Sequence, residues 1–287
     1  MTRLEAHHMN TYAASQRVDP LAALRPLRSA TWAATVSVIA QRTVLKSIRS
    51  PQLLLTSAVT SATFIVLFRY IFGGSIQMGT LAYVDFLIPG MVMTSVIFTG
   101  ISSSIGVAED LAGGFNDRLR SLPAPRLAIL AGRAIGDTAI VTWSVAVTAA
   151  MGYAVGFRVH GSFGEAMLAF ALCVVFGVAF VWVFITVGLV AGTAQAAQGM
   201  SMLAYPLVFI SSAYIRIDTL PDWMEVIARY QPITLMCNAV RSLVVGDPQR
   251  IGLSHTTTYW TLLALGAAAA LILVFAPLAV RAFDRTS

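Results

Sequence analysis

The residues of this chain that could carry chemistry are few and dispersed. Lys46 is the only lysine. A phosphate-binding P-loop needs G-x-x-x-x-G-K-[ST], because its lysine reaches the β and γ phosphates. Lys46 follows Gln41-Arg42-Thr43-Val44-Leu45, with no glycine, so the chain supplies no such ATP site. His7, His8, His160 and His255 are scattered, and the adjacent His7-His8 pair does not share a helix face, so the clustering a metal needs is missing. Cys173 and Cys237 define neither a disulfide framework nor a metal site. Ser102-Ser103-Ser104 and Ser211-Ser212 have no His and carboxylate in evident reach, and small residues in apolar helices more often serve packing. No catalytic, cofactor-binding or metal-ligating residue is assigned. Arg133 and Asp137 stand at i, i+4 near the end of an apolar segment, which reads as a local ion pair rather than a proton relay. A proton-coupled carrier usually keeps Asp, Glu or His deep in its spans. Here the span centres carry none, and Asp85 and Arg69 lie at span ends.

A charged island remains: Glu109-Asp110-Leu111-Ala112-Gly113-Gly114-Phe115-Asn116-Asp117-Arg118-Leu119-Arg120-Ser121-Leu122-Pro123-Ala124-Pro125-Arg126. Phe115, Leu119 and Leu122 share one helical face at i, i+4 and i+7, with Asp117, Arg118 and Arg120 off that stripe. Pro123 stops the helix. Periodicity alone leaves two readings open, a docking piece and a solvated loop with a short surface helix.

The elements that must position this island are membrane spans. The chain has 287 residues, of which 57% are hydrophobic and only 11% charged. Soluble domains carry about 25% charged residues. The class is therefore an all-α polytopic membrane protein. Residues 166–215 contain no Asp, Glu, Lys or Arg, far more chain than the roughly 20 residues one span needs, so this run folds back within 192–199. A second run, 251–280, has His255 as its only possible charge. Six spans follow: Leu53 to Phe72, Val84 to Ala108, Leu127 to Phe157, Ala166 to Ala191, Gly199 to Tyr214, and Thr257 to Val280. No sequence repeat is evident.

Orientation follows from Lys and Arg. With the N-terminus inside, thirteen fall on the inner side and six on the outer, so both termini and the island are expected in the cytoplasm. The first 30 residues are polar and lack the apolar core of a secretory signal, so 1–28 is expected as a cytoplasmic, partly disordered arm and 283–287 as a cytoplasmic tail. The basic balance reflects dispersed arginines rather than a nucleic-acid patch. Residues 29–50 read as an amphipathic connecting helix with Arg42, Lys46 and Arg49 on one side. It is expected at the membrane interface, basic side toward anionic lipid. Ser50-Pro51 breaks it from the transmembrane region 51–282.

The outer element, 215–250, is not a simple loop. Leu220-Pro221-Asp222-Trp223-Met224-Glu225-Val226-Ile227 opens like a short helix, with Pro and acids at its start. Gln231-Pro232 breaks it, and Thr234 to Val245 reads as a second helix ending at Gly246. Irregular backbone at that depth must be buried against protein.

Together, Gly114, Asp117-Arg118, Arg120-Ser121-Leu122-Pro123, Arg126 and Gly132-Arg133, followed by Leu220-Pro221-x-Trp223, Gln231-Pro232-x-Thr234, Arg241 and Gly246, resemble the membrane subunits of type-2 ABC exporters, of the daunorubicin/doxorubicin-resistance type. The resemblance covers residues 30–282. It implies a six-span permease with a connecting helix and an outer short-helix hairpin, in which Glu109, Asp110, Gly114, Asp117, Arg118, Leu119 and Pro123 form a coupling loop docking on a separate ATPase. Many relatives have Gly-Thr after the acidic pair, where this chain has Gly114-Phe115. In the outer element it marks Pro221, Trp223, Pro232, Thr234 and Arg241. It also implies two ATPase copies carrying ATP and magnesium, a second permease copy or paralogue, a plasma-membrane location, and an amphipathic drug, lipid or polyketide substrate. A substrate wall is expected along Phe86, Met91, Met93, Phe98, Met200, Met202, Tyr205 and Phe209, methionine being able to repack around varied shapes; lipid-facing or packing roles are the alternative. An ATP-independent carrier or channel, or a membrane scaffold, is the competing function.

Overall fold

A computed structural model of the chain describes residues 31–49, 51–73, 82–114 and 125–285. Every regular element among them is helical. Helix α1, Trp32–Ile48, precedes α2, Pro51–Leu67, which runs on as a π turn, Phe68–Phe72. Three long helices follow: α3, Tyr83–Ala112, α4, Arg126–Ala154, and α5, Phe163–Ala191. Two short ones, α6 Ala194–Ser201 and α7 Ala204–Phe209, lead to the hairpin of α8, Asp222–Tyr230, and α9, Pro232–Val245. Helix α10, Thr257–Arg285, closes the chain.

Four helices, α3, α4, α5 and α10, are long and apolar enough to cross a membrane. At 1.5 Å per residue, 29 residues exceed the hydrocarbon core of roughly 30 Å, leaving ends for the interface. Helix α3 is the axis of the bundle and is almost wholly enclosed, whereas α10 is the most exposed of the four. Glycines set the closest approaches. A Cβ on Gly90 would stand 1.9 Å from the Ala213 carbonyl oxygen, and one on Gly188 would stand 2.4 Å from that of Ser104. These contacts explain how α3 can be surrounded on every side.

The fold-back after α5 is sharper than the sequence suggests. Gly192 alone, in the left-handed region at φ 72°, ends α5, and Thr193 caps α6 through Ala196 N. The segment read as the fifth span, 199–214, is broken into the end of α6 and α7 rather than forming one helix. Hydropathy could not see this break, because the whole stretch is uncharged. Pro206 has no N–H to extend a ladder from the preceding turn. The α8–α9 hairpin ends where residue type dictates. Pro221 precedes α8, Pro232 occupies the first turn of α9, and Gly246 ends α9 at φ 76°.

Candidate functional site

Three cations on the island side of the bundle, Arg42, Lys46 and Arg133, converge on Asp110. Ser103, Val107 and Asp110 follow i, i+4, i+7, so one face of α3 presents them together. Asp110 Oδ1 accepts from Arg42 Nη2 at 3.3 Å and from Lys46 Nζ at 3.5 Å. Its Oδ2 accepts from Arg133 Nη1 at 2.7 Å. Arg133 also donates through Nε to Asp137 at 2.8 Å and through Nη2 to the Ser103 carbonyl at 3.3 Å. The Ser103 hydroxyl donates to the same Asp137 oxygen, and Lys46 lies 3.9 Å from Glu109. Three cations thus meet three carboxylates, tying α1, α3 and α4 into one unit.

The expected Arg133–Asp137 pair is therefore the inner half of a larger cluster. The lipid-facing role expected of Arg42 and Lys46 gives way to ion pairing with Asp110, and the face of α1 carrying Val36, Ile39 and Thr43 is buried against protein. Gly132 and Gly136 permit this approach. A Cβ on Gly136 would lie 2.5 Å from Thr43 Cβ, and one on Gly132 would lie 2.8 Å from the Val36 carbonyl oxygen. Gly106 likewise leaves room for the Arg133 guanidinium, 2.9 Å from where its Cβ would be. A cavity of about 30 Å³ beside the cluster is walled by Ile39, Val107, Ile185, Leu189 and Phe283, so α5 and α10 abut it as well. Arg126, at the start of α4, pairs with Asp284 near the end of α10.

Of the coupling-loop residues, Glu109 and Asp110 occupy the last turn of α3, and Gly114 follows at φ 66°. Asp117, Arg118, Leu119 and Pro123 lie outside the described residues, as does the Phe115 stripe. Sequence reasoning missed the cross-helix pairing. Its signal was the Glu109-Asp110 pair matched by a basic triplet 60 to 70 residues earlier, together with Gly132-x-x-x-Gly136.

The residues proposed as a substrate wall divide by depth. Phe86, Met91 and Met93 are buried in the core, while Met200, Met202 and Phe209 are exposed. Phe98 and Tyr205 connect the two groups, their rings 5.3 Å apart.

At the opposite end, Thr234 and Arg241 of the outer element are fully buried and Trp223 is exposed. Thr234 Oγ1 accepts from Ser212 N at 3.2 Å. Arg241 Nε donates to the Phe86 carbonyl at 3.1 Å and Nη2 to that of Ser212 at 2.8 Å, and its guanidinium sits 3.7 Å over the Phe86 ring. The α8–α9 hairpin is thereby locked onto α3 and onto the chain after α7.

Residues 34–245 match the family model described as ABC-2 type transporter. The chain is 31% identical over 261 residues, 90% of its own length and 89% of the relative's, to the daunorubicin resistance ABC transporter permease protein DrrB1 of Streptomyces coeruleorubidus. It is 24% identical over 181 residues, 61% of this chain and 66% of the other, to the probable doxorubicin resistance ABC transporter permease protein DrrC of Mycobacterium tuberculosis.

Proposed function

Because this chain belongs to the ABC-2 type transporter family, we propose that it is the permease subunit of an exporter that moves an amphipathic drug, lipid or polyketide-type molecule. In this reading it does not hydrolyse ATP itself. Two copies of a separate ATPase, carrying ATP and magnesium, supply the energy, and a second permease copy or a paralogue completes the pathway. The protein sits in the plasma membrane with both termini in the cytoplasm. The helix 51–72 and the broken 194–209 segment bring the crossings to six. The names of its relatives support a drug-like cargo.

The single observation that carries the reading is the salt-bridge cluster on Asp110. The island emerges directly from the last turn of α3, and that turn is clamped to α1 and α4 by Arg42, Lys46 and Arg133. A push on residues 115–124 from a docked ATPase therefore enters a braced unit rather than a loose loop. Packed helices transmit such a displacement because they are close to incompressible.

The test is co-purification from native membranes followed by vesicle transport. With Asp117 and Arg118 reversed in charge, the P-loop ATPase that accompanies the native chain should be lost, together with ATP-driven export, while membrane insertion stays normal. Retention of both, or substrate flux that needs no ATP, would sink the proposal.

A further inference from the structure

At the end of the bundle opposite the island, a cavity of about 200 Å³ opens between the α8–α9 hairpin, the chain around Gly252 and the first turns of α10. Its lining is rich in donors. Arg241 forms its floor, 1% exposed, and no described carboxylate pairs with it. Its Nε and Nη2 donate to carbonyls and its guanidinium lies over the Phe86 ring, all neutral partners that leave the charge uncompensated. Trp260, 8% exposed, lines the same cavity, and its buried indole N–H has no partner among the described residues. Asn238 accepts from Ser212 through its oxygen, which turns its amide toward donation.

The acids that line the cavity are already engaged. Asp218 is held by Arg216 and Glu225 by Arg229, both pairs lying at the rim. The Arg216 guanidinium also keeps the Asp218 carboxyl below the usual carboxylate range, so it stays ionised and paired. Three guanidiniums therefore face two carboxylates, and the uncompensated one is the most buried. An unpaired charge and an unpaired N–H both cost free energy away from water. One acceptor with a negative charge relieves both.

We propose that this cavity binds a phosphate-type oxyanion, held by Arg241 and the Trp260 indole, and supplied by the headgroup of an anionic phospholipid or by free phosphate. A lipid source suits the surroundings: the adjoining α8 exposes Trp223, Val226, Ile227 and Tyr230 on one face, an apolar surface along which acyl chains can lie. Guanidinium is also the group whose planar fork matches phosphate oxygens. The inference does not depend on the export reading, because binding needs neither ATPase nor transport.

The experiment follows thermal unfolding of the full-length chain, purified and delipidated in detergent, during titration with phosphatidylglycerol, with diacylglycerol of the same chains, and with inorganic phosphate. Phosphatidylglycerol should raise the unfolding midpoint and diacylglycerol should not. Trp260→Phe removes the N–H together with the five-membered ring, whereas benzothienylalanine at 260 keeps the bicycle and lacks only the N–H; both should raise the half-saturating lipid concentration about tenfold. Arg241→Met should abolish the response. Should that variant fail to fold, Trp260→Phe alone still decides the matter. A shift by inorganic phosphate at millimolar concentration, sensitive to Trp260→Phe, would uphold the oxyanion site with a soluble source. Equal stabilisation by diacylglycerol, or a phosphatidylglycerol response untouched by Trp260→Phe, would overturn it.

Discussion

Asp110 accepts from three cations, and these bonds are of unequal worth. Arg42 and Lys46 are substantially exposed, so each contributes at most about 1 kcal/mol. Arg133 is only 14% exposed and its two carboxylates less, so that pairing lies in the regime where removing one partner strands a buried charge. Asp110→Ala should therefore destabilise the protein by about 3 kcal/mol, while Lys46→Ala should change it by less than about 1 kcal/mol. Thermal unfolding in detergent checks both. A double-mutant cycle between Asp110 and Arg133 should give a coupling of about 1–3 kcal/mol, and a value near zero would show that the two act separately. The sequence holds the charges and glycines of this pairing but does not say which charge meets which. Arg42 and Asp110 are separated by 68 positions, and periodicity reports the face a residue occupies on its own helix, not what that face meets. The Arg133–Asp137 pair was legible because i, i+4 neighbours meet by helix geometry alone. Arg241 showed the same limit: its place in a short outer helix could be read, but not its seat over Phe86, 155 positions earlier.

Among the elements, those bounded by backbone chemistry read well and those bounded only by polarity read poorly. Pro221, Pro232 and Gly246 delimit α8 and α9 because a missing N–H or a left-handed φ is fixed by residue type. The 199–214 stretch offers a hydropathy reading no charge to mark its break, and the one backbone signal in it is Pro206, which cannot continue the ladder from the preceding turn. Helix α1 carries Arg42 and Lys46 onto Asp110, where its sequence alone points them to lipid, since nothing local distinguishes a phospholipid from Asp110 as counter-charge. The α1–α4 contact belongs to this scale and is open to test. Gly136→Val would drive a branched side chain into Thr43, whose Cβ lies only 2.5 Å from where the new Cβ would sit. Overpacking of this kind costs about 1–3 kcal/mol, and it should also prise α1 off the bundle. A short bifunctional thiol reagent reads that movement between Lys46→Cys and Glu109→Cys, positions whose native charged ends lie 3.9 Å apart. Cross-linking should be efficient in an otherwise native background and fall sharply in Gly136→Val. Undiminished cross-linking would mean that α4 yields instead of α1.

The molecule as a whole has an enclosed axis and an exposed flank, and its two methionine groups fall on opposite sides of that division. Met91 and Met93 on α3 are buried, whereas Met200, Met202 and Phe209 project from the broken segment packed on the same helix. Backbone interrupted at membrane depth is tolerated where protein or a cavity covers it. In the proposed two-copy exporter this flank would wall the pathway, and Tyr205 against Phe98 links it to the axis. The two groups should separate on mutation. Met91→Ala removes volume from a packed core and should cost about 2–5 kcal/mol, lowering the unfolding midpoint whatever the cargo. Met200→Ala and Tyr205→Phe should leave stability within about 0.5 kcal/mol of the native value yet change the ratio of export rates between two amphipathic substrates of different shape, with ATPase binding intact. Vesicle transport with paired substrates measures that ratio. Unchanged ratios across Met200, Met202, Tyr205 and Phe209 would return the flank to lipid contact and move the search for the pathway to the exposed face of α10.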